Sequence, residues 1–291
     1  MAMNGIDISS WQAGIDISKL TTTEFVIVKA TGGTAYSNPY FTSHLQATLA
    51  AGKMAGAYHY AREKGCKGTA KAEAAYFYSK VKDYIGKIVL VLDWEEELSL
   101  GPAWALEWLD EVTRLTGVKP LIYTGQSACA SYNWSAVVKA GYKLWLAQYP
   151  NYTPTDYKTN PWRSGGIGAF TGYVMHQYTS TGRITGYGSN LDLNLFYGSA
   201  ADWMALAGAE NTNETEEGNM DIGKLTDAEC YEIVRRAQEY AAKEPCPGWA
   251  TEKFQQAKED GITDGTRPAA LVTRCEAAIM AHRALKGGAQ G

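Results

Sequence analysis

The feature that most constrains the fold is a pair of strand-like runs with no polar interruption. Phe25-Val26-Ile27-Val28 and Ile88-Val89-Leu90-Val91-Leu92 are apolar at every position rather than at every second one. A strand has this pattern when both of its faces are buried, as in a parallel sheet covered by helices. The chain is therefore predicted to belong to the α/β class.

Further strands and helices are predicted along residues 4–208. Short apolar and aromatic runs bounded by Gly, Pro or Asn predict eight strands, at 5–9, 25–30, 54–60, 87–95, 120–125, 143–149, 173–179 and 192–196. Amphipathic patterns predict helices at 40–51, 69–85 and 102–116, with Gly52 and Gly117 at the ends of the first and third. Eight strands with helices mainly in the first half predict a modified TIM-like barrel with few helices in its second half.

A second region follows the predicted barrel domain, 1–208. Residues 209–219 are polar and acidic, a composition typical of a flexible linker. Residues 220–291 predict a small all-helical domain with helices at 225–243, 249–260 and 272–285. Thr226 before Glu229, and Thr273 before Glu276, are capping signals for two of these helices.

Charge, hydropathy and the metal-binding residue types exclude several classes of protein. A net charge of −4 argues against a general nucleic-acid binder, and no apolar stretch is long enough to span a membrane. The five Cys and four His are scattered without metal-ligand spacing, so neither a disulfide framework nor a metal site is predicted. The N-terminal residues lack a signal-peptide pattern, so synthesis in the cytoplasm and export by another route are expected.

The most informative segment is the end of the strand at 87–95, where Asp93 and Glu95 follow the apolar run. Alternation along a strand places both carboxylates on one side, about 6.7 Å apart along the backbone. This spacing is compatible with the separations of about 5–5.5 Å in retaining and about 6.5–9.5 Å in inverting glycosidases. The alternative, charges at the N-terminus of the following helix, is the reading favoured for Glu96 and Glu97.

Two further acids interrupt apolar strands. Asp7 lies in Gly5-Ile6-Asp7-Ile8-Ser9, and Asp192 lies in Leu191-Asp192-Leu193-Asn194. Burying an unpaired carboxylate is costly, so each acid is expected to have a local purpose. For Asp7 the alternative is a turn or cap interaction with Ser9 or Ser10.

Together these segments resemble a known family along about 205 residues. The matching pieces include Gly5-Ile6-Asp7-Ile8-Ser9, Phe25-Val26-Ile27-Val28-Lys29-Ala30-Thr31, Gly56-Ala57-Tyr58-His59-Tyr60, Val91-Leu92-Asp93-Trp94-Glu95 and His176-Gln177-Tyr178-Thr179. Their order and spacing resemble glycoside hydrolase family 25, the Chalaropsis-type lysozymes (muramidases) common among phage and prophage endolysins.

The resemblance implies hydrolysis of the β-1,4 bond between N-acetylmuramic acid and N-acetylglucosamine in peptidoglycan. It implies Glu95 as the acid that protonates the leaving oxygen, with Asp93 assisting the 2-acetamido group of the substrate as internal nucleophile. Asp7 and Asp192 match the family's remaining acids. The expected substrate contacts are Lys29, Tyr60, Tyr123, Gln148 and Gln177. No cofactor is implied, and an endolysin would act on the wall after release at lysis.

Two other functions remain open, and one position departs from the family. A chitinase-like or glucosaminidase barrel is one alternative, although it would favour several acids before the catalytic one, and only apolar residues precede Asp93. A catalytically inactive wall-binding protein is the other. His176 stands where the family often has Trp, which is expected to alter a subsite.

The C-terminal region resembles a single S-layer-homology-type repeat, in residues 249–276. Arg274 matches the arginine that faces the wall polymer in that family. One repeat instead of the usual three leaves three roles open: wall-polymer binding supported by oligomer avidity, oligomerisation alone, or a stabilising appendage. Met220 follows Glu216-Glu217-Gly218-Asn219 and is a candidate internal start, from which a free C-terminal fragment would co-assemble with the full chain.

Overall fold

The computed structural model describes residues 2–209 and 251–260. The chain divides into two compact units, Met1–Thr212 and Asn213–Gly291. The predicted linker beyond Ala209, and the predicted C-terminal domain apart from one helix, lie outside the described residues. The predicted domain boundaries therefore stay a prediction. No helix in the described ranges is long and apolar enough to cross a membrane.

The first unit is built on a closed eight-stranded barrel, as predicted. Its strands, with one short extra strand β3, are β1 (Met3–Ile8), β2 (Phe25–Gly32), β3 (Tyr36–Ser37), β4 (Met54–Tyr60), β5 (Ile88–Asp93), β6 (Leu121–Gly125), β7 (Leu144–Ala147), β8 (Met175–Gly182) and β9 (Leu191–Phe196). The order β1-β9-β8-β7-β6-β5-β4-β2 is closed by pairing of β1 with β2. The short strand β3 pairs with β2 outside this ring. All eight predicted strands are present.

One strand runs against the others. From β1 through β2 and β4 to β8 the neighbours are parallel, whereas β9 is antiparallel to both β8 and β1. The loop from Gly182 to Leu191 is too short for the crossover of a dozen or more residues that a parallel connection needs. Because of this reversal, the first residues of β9 lie at the barrel end where the parallel strands finish.

The helices lie mainly in the first half of the barrel, as expected. They are α1 (Phe41–Ala50), α2 (Ala70–Val81), α3 (Gly101–Thr116), α4 (Gln126–Ser131), α5 (Ser135–Lys139), α6 (Ala200–Leu206) and α7 (Thr251–Glu259). The three predicted barrel helices are confirmed, although α2 gives way to a 3-10 turn at Lys82–Tyr84. Gly52 and Gly117 have φ of +68° and +73°, the left-handed conformation that ends a helix. The short helices α4, α5 and α6 were not predicted, and the predicted helices at 225–243 and 272–285 lie outside the described residues.

The uninterrupted apolar run of β5 is explained by two separate cores. Val89 and Val91 face the barrel interior with Phe25, Ile27 and Trp145. The alternating residues Ile88, Leu90 and Leu92 belong to the larger core between the barrel and its helices. Both faces of the strand are buried, as the sequence pattern predicts.

Trp203 on α6 contributes to the core inside the barrel. Its side chain is fully buried, its ring centroid lies 4.6 Å from that of Phe25 and 5.2 Å from that of Phe196, and its Nε1–H donates to the carbonyl of Ala55 at 3.1 Å. The helix after the last strand therefore packs its Trp into the barrel core.

We expect Trp203→Phe to lower the free energy of unfolding by about 1–3 kcal/mol, since it loses this hydrogen bond and leaves space in a packed core. Urea unfolding followed by circular dichroism measures the change. Leu49→Ala, at a residue 37% exposed on α1, is the control and should change stability by less than about 0.5 kcal/mol. Equal stability of Trp203→Phe and the unchanged chain would contradict a stabilising role for the Trp203 contacts.

Candidate active site

A cavity of about 610 Å³ opens at the barrel end where the parallel strands finish. Its lining includes the four predicted acids Asp7, Asp93, Glu95 and Asp192, and the predicted contacts Lys29, Tyr60, Tyr123 and Gln177. Gln148 is not part of the lining. Catalytic sites of such barrels form at this end of the strands.

Strand alignment explains why the acids meet. Asp93 is the last residue of β5 and is aligned with Tyr60 on β4 and Tyr123 on β6. Asp7 on β1 is aligned with Asp192 at the start of the reversed strand β9. Side chains that alternate along a strand point to one side at every second position, so Glu95 follows Asp93 towards the cavity.

Asp93 is the most deeply placed acid without a hydrogen-bond partner. It is 8% exposed, and its Oδ1 is buried with no partner among the described residues. Burial raises the pKa of Asp93 well above its ordinary value, Glu95 raises it further, and Lys29 opposes the shift. A carboxyl group in this state is available to a ligand that offers it a hydrogen bond.

Glu95 lies two residues beyond the end of β5 and is more exposed to solvent than Asp93. Burial raises the pKa of Glu95, the negative charge of Glu96 raises it further, and Lys29 acts in the opposite direction. An acid that keeps its proton above the usual pH range is suited to protonate a leaving group. Asp93 and Glu95 are thus two neighbouring carboxyl groups whose first ionisation makes the second harder.

Asp7 is the acid most firmly fixed by the protein. Its Oδ2 accepts hydrogen bonds from Gln177 Nε2 and Asn194 Nδ2, both at 2.7 Å, and the Asn194 Oδ1 accepts from Trp145 Nε1 at 2.9 Å. Burial raises the pKa of Asp7 to about 6 although these hydrogen bonds lower it. The expected alternative, a cap interaction with Ser9 or Ser10, is wrong: Ser9 caps the turn Ser10–Gln12 itself.

The negative charge of Asp7 affects the pKa of Asp192. Burial raises the pKa of Asp192 to about 8, and the charges of Asp7 and Glu95 contribute to the shift. An acid with a higher pKa in the folded than in the unfolded chain destabilises the fold progressively as the pH rises from the unfolded to the folded value.

We therefore expect the melting temperature of Asp192→Asn, relative to the unchanged protein, to increase by several degrees between about pH 4 and about pH 8. Thermal unfolding at the two pH values measures this difference. Gln46→Ala, at an exposed residue of α1 outside the cavity, is the control for nonspecific pH effects. A pH-independent difference would contradict the raised pKa.

Lys29 is held between two aromatic rings on the cavity wall. Its Nζ lies 4.8 Å from the ring centroid of Tyr36 and 4.3 Å from that of Tyr60, and it forms a 2.7 Å ion pair with Glu63. The Tyr60 hydroxyl donates to Glu96 at 3.1 Å. Lys29 thus supplies a fixed positive charge beside the acid pair.

Two expectations from the sequence, for Gln148 and His176, are corrected by the structure. Gln148 does not face the cavity: its side chain donates to the Ser164 carbonyl at 2.9 Å and accepts from the Ser164 N–H at 3.1 Å. His176 does not line it either, because it is fully buried with Nε2 3.0 Å from the Gln148 carbonyl oxygen. Strand alternation explains His176, which points outwards next to the inward Gln177.

Glu96 and Glu97 are not charges at the start of the following helix. Glu96 lines the cavity, and Glu97 accepts a 2.7 Å hydrogen bond from Arg62 Nε and pairs with Lys67. The helix α3 begins only at Gly101, after a 3-10 turn at Leu98–Leu100. The predicted wall-binding residue Arg274 lies outside the described residues.

Several lining residues were not predicted. Tyr58, Tyr149 and Trp11 line the cavity, and Trp11 is 89% exposed. Tyr149 and Tyr123 both donate hydrogen bonds to Gln177 Oε1. Tyr58 could have been found, because it lies two positions before Tyr60 on the same strand. Tyr149 lies in a loop and Trp11 in the short 3-10 turn Ser10–Gln12, where strand periodicity does not apply.

The potential metal ligands of the described residues do not form a cluster, and His59 is hydrogen-bonded in the core. His59 is fully buried between Thr31 Oγ1, 2.8 Å from its Nδ1, and Glu73 Oε2, 3.0 Å from its Nε2. Within residues 2–209 and 251–260 there is no group of three or more His, Cys, Asp or Glu that could hold a metal ion. The described cavity therefore offers acid–base groups, a cation and aromatic rings.

Comparison with known proteins gives consistent matches to one family. A family model described as Glycosyl hydrolases family 25 matches residues 6–187. Lysozyme M1 of Streptomyces globisporus is 31% identical over 223 residues, which cover 70% of this chain and 71% of the relative. A bacterial lysozyme from Streptomyces coelicolor is 28% identical with a TM-score of 0.56, covering 72% of this chain and 98% of that structure. The catalytic domain of endolysin ply40 from bacteriophage P40 of Listeria monocytogenes is 27% identical with a TM-score of 0.51, and the match covers 72% of this chain and 98% of that structure.

Proposed function

Because the chain belongs to glycosyl hydrolases family 25, we propose that it hydrolyses the β-1,4 bond between N-acetylmuramic acid and N-acetylglucosamine with Glu95 as general acid and base. As a member of this family it is a glycoside hydrolase of the muramidase type, and its substrate is bacterial peptidoglycan. The observation that carries the residue assignment is the pairing of Asp93 and Glu95 at the end of β5, both with a raised pKa, in one cavity with Asp7 and Asp192.

In the first step Glu95 donates its proton to the glycosidic oxygen while the bond from that oxygen to C1 of the muramic acid breaks. The electron pair of the bond leaves with the oxygen, which becomes the hydroxyl of the departing sugar. The carbonyl oxygen of the 2-acetamido group attacks C1 and forms a cyclic oxazolinium ion. Substrate assistance of this kind replaces the carboxylate nucleophile of other glycosidases.

Asp93 accepts a hydrogen bond from the acetamido N–H in this step, which orients the attacking oxygen and stabilises the charge on the ring. The unpartnered, buried Oδ1 supports this role, because a carboxyl oxygen without a protein partner is free to accept from a substrate amide. Glu95, now ionised, takes a proton from water, and the hydroxide oxygen bonds to C1 and opens the ring.

The remaining lining residues hold these groups and the sugars in place. Asp7 is fixed by Gln177 and Asn194, and together with Asp192 it raises the pKa of Asp93 through its charge. The positive charge of Lys29 opposes the upward pKa shifts of Asp93 and Glu95. Tyr60 and Tyr123 supply ring faces and hydroxyls to the substrate. The proposed reaction needs only a proton donor and acceptor, and so calls for no cofactor.

The proposal is tested by identifying the ends that the protein creates. Purified peptidoglycan is digested with the full chain, the products are reduced with borohydride, and the new ends are identified by mass spectrometry. Muramitol ends are expected. Glucosaminitol ends would mean a glucosaminidase, and no new ends from walls of several species would mean a wall-binding protein without this activity.

We further propose a phage or prophage endolysin role, with access to the wall when the membrane is permeabilised. The likeness to the catalytic domain of the ply40 endolysin supports this proposal. A bacterial culture that expresses the chain in its cytoplasm should keep its optical density until its membrane is permeabilised, and then lyse. A Glu95→Gln culture treated in the same way is the control.

For the C-terminal region we propose binding to an acidic secondary cell-wall polymer through Arg274, with avidity from self-association or from a fragment that begins at Met220. The support is the sequence pattern described above, since Arg–anion pairing is a strong and directional contact. Sedimentation of the full chain and of Arg274→Ala with purified walls tests binding. Light scattering tests oligomerisation, and intact-mass analysis showing full-length chains alone would end the fragment proposal.

A further inference from the structure

A second cavity, of about 430 Å³, lies on the other side of β8 from the catalytic cavity. It is formed by the segment between β7 and β8 and is lined by Pro150, Asn151, Thr153, Pro154, Thr155, Lys158, Asn160, Pro161, Trp162, Tyr178 and Thr179. Gln177 lines the catalytic cavity, and the next residue on β8, Tyr178, lines this one. The side chains of Gln177 and Tyr178 point to opposite sides of β8, and the register shift between Gln177 and Thr179 accounts for Thr179 lining the second cavity together with Tyr178.

Exposed aromatic rings connect the two cavities. Trp162, in the wall of the second cavity, is 49% exposed, and Tyr152 is 72% exposed. The ring of Tyr152 lies against that of Tyr149 at a centroid distance of 6.3 Å, and Tyr149 lines the catalytic cavity. Large exposed aromatic surface next to a cleft is typical of a binding surface, since the folded protein gains nothing by leaving it in water.

The segment that carries these rings is held in place by the barrel. The two hydrogen bonds between Gln148 and Ser164 fasten it just after Trp162. The Lys158 N–H donates to the Tyr178 hydroxyl oxygen at 3.0 Å. The ring faces are therefore presented by an ordered segment, which reduces the entropy cost of binding a ligand.

The same cavity offers polar groups that are not engaged by the protein. Within the described ranges the Lys158 ammonium and the Asn160 amide have no hydrogen-bond partner, although both residues line the cavity. An ammonium group pairs with a carboxylate, and an amide can bond both to hydroxyls and to acetamido groups. Together with the Trp162 ring face, these groups fit an N-acetylated sugar that carries a carboxylate.

We propose that this second cavity, with Tyr152 and Trp162, is an accessory binding site for the glycan strand whose neighbouring bond lies in the catalytic cavity. The inference rests on the proposed muramidase function and extends it from one bond to a longer stretch of polymer. The occupant is the glycan itself, because Tyr152 contacts Tyr149 of the catalytic cavity and lies in the chain between Asn151 and Thr153, which line the second cavity. The cavity is within the range of about 300–1,000 Å³ typical of small-ligand sites.

The test compares a long and a short substrate. The specificity constant kcat/KM of the full chain is measured on polymeric peptidoglycan and on a tetrasaccharide of two disaccharide units, for the unchanged protein and for Trp162→Ala. Loss of one stacking ring is expected to lower kcat/KM on the polymer about five- to tenfold through KM, and to leave the tetrasaccharide within about twofold. Tyr40→Ala, at an exposed aromatic that lines neither cavity, is the matched control.

Two further variants separate stacking from disturbed structure. Trp162→Phe keeps a ring face and should recover most of the activity on the polymer. Gln148→Leu frees the segment without touching the rings and should reproduce the polymer-specific loss. Equal losses on both substrates, or none on the polymer, would overturn the accessory site while leaving the muramidase function standing. If the unchanged protein cuts neither substrate, the proposed function fails, and this inference fails with it.

Discussion

Replacing Glu95 by Gln is expected to lower the rate of peptidoglycan hydrolysis by about 10³-fold while leaving the fold unchanged. Gln has the same shape as Glu but cannot donate a proton to the glycosidic oxygen, which would then have to leave as an alkoxide. The fold should survive because the Glu95 carboxyl makes no hydrogen bond or ion pair with the described residues, and burial raises its pKa. Turbidity loss of purified walls gives the rate, and circular dichroism checks the fold.

Glu96→Gln is the matched control for this experiment, because Glu96 is the adjacent acid on the same cavity wall. It should keep most of the activity. Its charge contributes to the raised pKa of Glu95, so its removal should lower that pKa. Since Glu95 must be protonated to act as an acid, the alkaline limb of the kcat profile should move to lower pH. Full activity of Glu95→Gln, or loss in Glu96→Gln alone, would assign the proton donor elsewhere.

The second large effect is expected for Asp93→Asn, which should lower kcat by about 10²-fold and also stabilise the protein near neutral pH. The rate falls because Asn has no negative charge with which to stabilise the positive charge that develops on the ring when the acetamido group attacks C1. Stability rises because a buried carboxylate without a hydrogen-bond partner at Oδ1 is replaced by a neutral amide of the same size. A lower kcat together with a higher stability in the same variant is expected where a residue serves the reaction at a cost to the stability of the fold.

The sign of the stability effect follows from the raised pKa of Asp93. The folded chain binds this proton more tightly than the unfolded chain, so the acid costs stability increasingly as the pH rises above its ordinary value of 3.8. The gain of Asp93→Asn in melting temperature should therefore be small near pH 4 and larger near pH 7. Asp156→Asn, at an exposed acid outside both cavities, is the control. A variant that is slow and also less stable at about pH 7 would indicate a structural role for Asp93.

The sequence pattern predicted those parts of the fold and site that depend on local periodicity. The alternation that places Val89 and Val91 inside the barrel also carries Asp93 and Glu95 to its open end. Four of the five predicted barrel contacts lie in the cavity for the same reason. Gln148 follows Ala147, which packs against the core inside the barrel, so the same alternation directs the Gln148 side chain away from the interior.

Other features depend on contacts between distant parts of the chain and have no local pattern. The reversal of β9 was not predicted, although the short connection after Gly182 excludes a parallel crossover. The alignment of Asp7 with Asp192, and the Trp203 side chain inside the barrel, follow from how the chain closes on itself. The roles of aromatic rings in loops, such as Tyr149 and Tyr152, can be recognised only from the folded structure, where these two rings lie against each other beside the catalytic cavity.

The antiparallel closure of the barrel by β9 also has a consequence during synthesis. The hydrogen bond from Asn194 to Asp7 joins residues 187 positions apart, and β9 pairs with the first strand of the chain. Contacts of such long range form late and slowly, and the ribosome must release the chain past Phe196 before they can form. The nascent chain therefore carries Asp93 and Glu95 without the partners that complete their surroundings. The catalytic cavity of this muramidase is therefore complete only when translation through the barrel is finished.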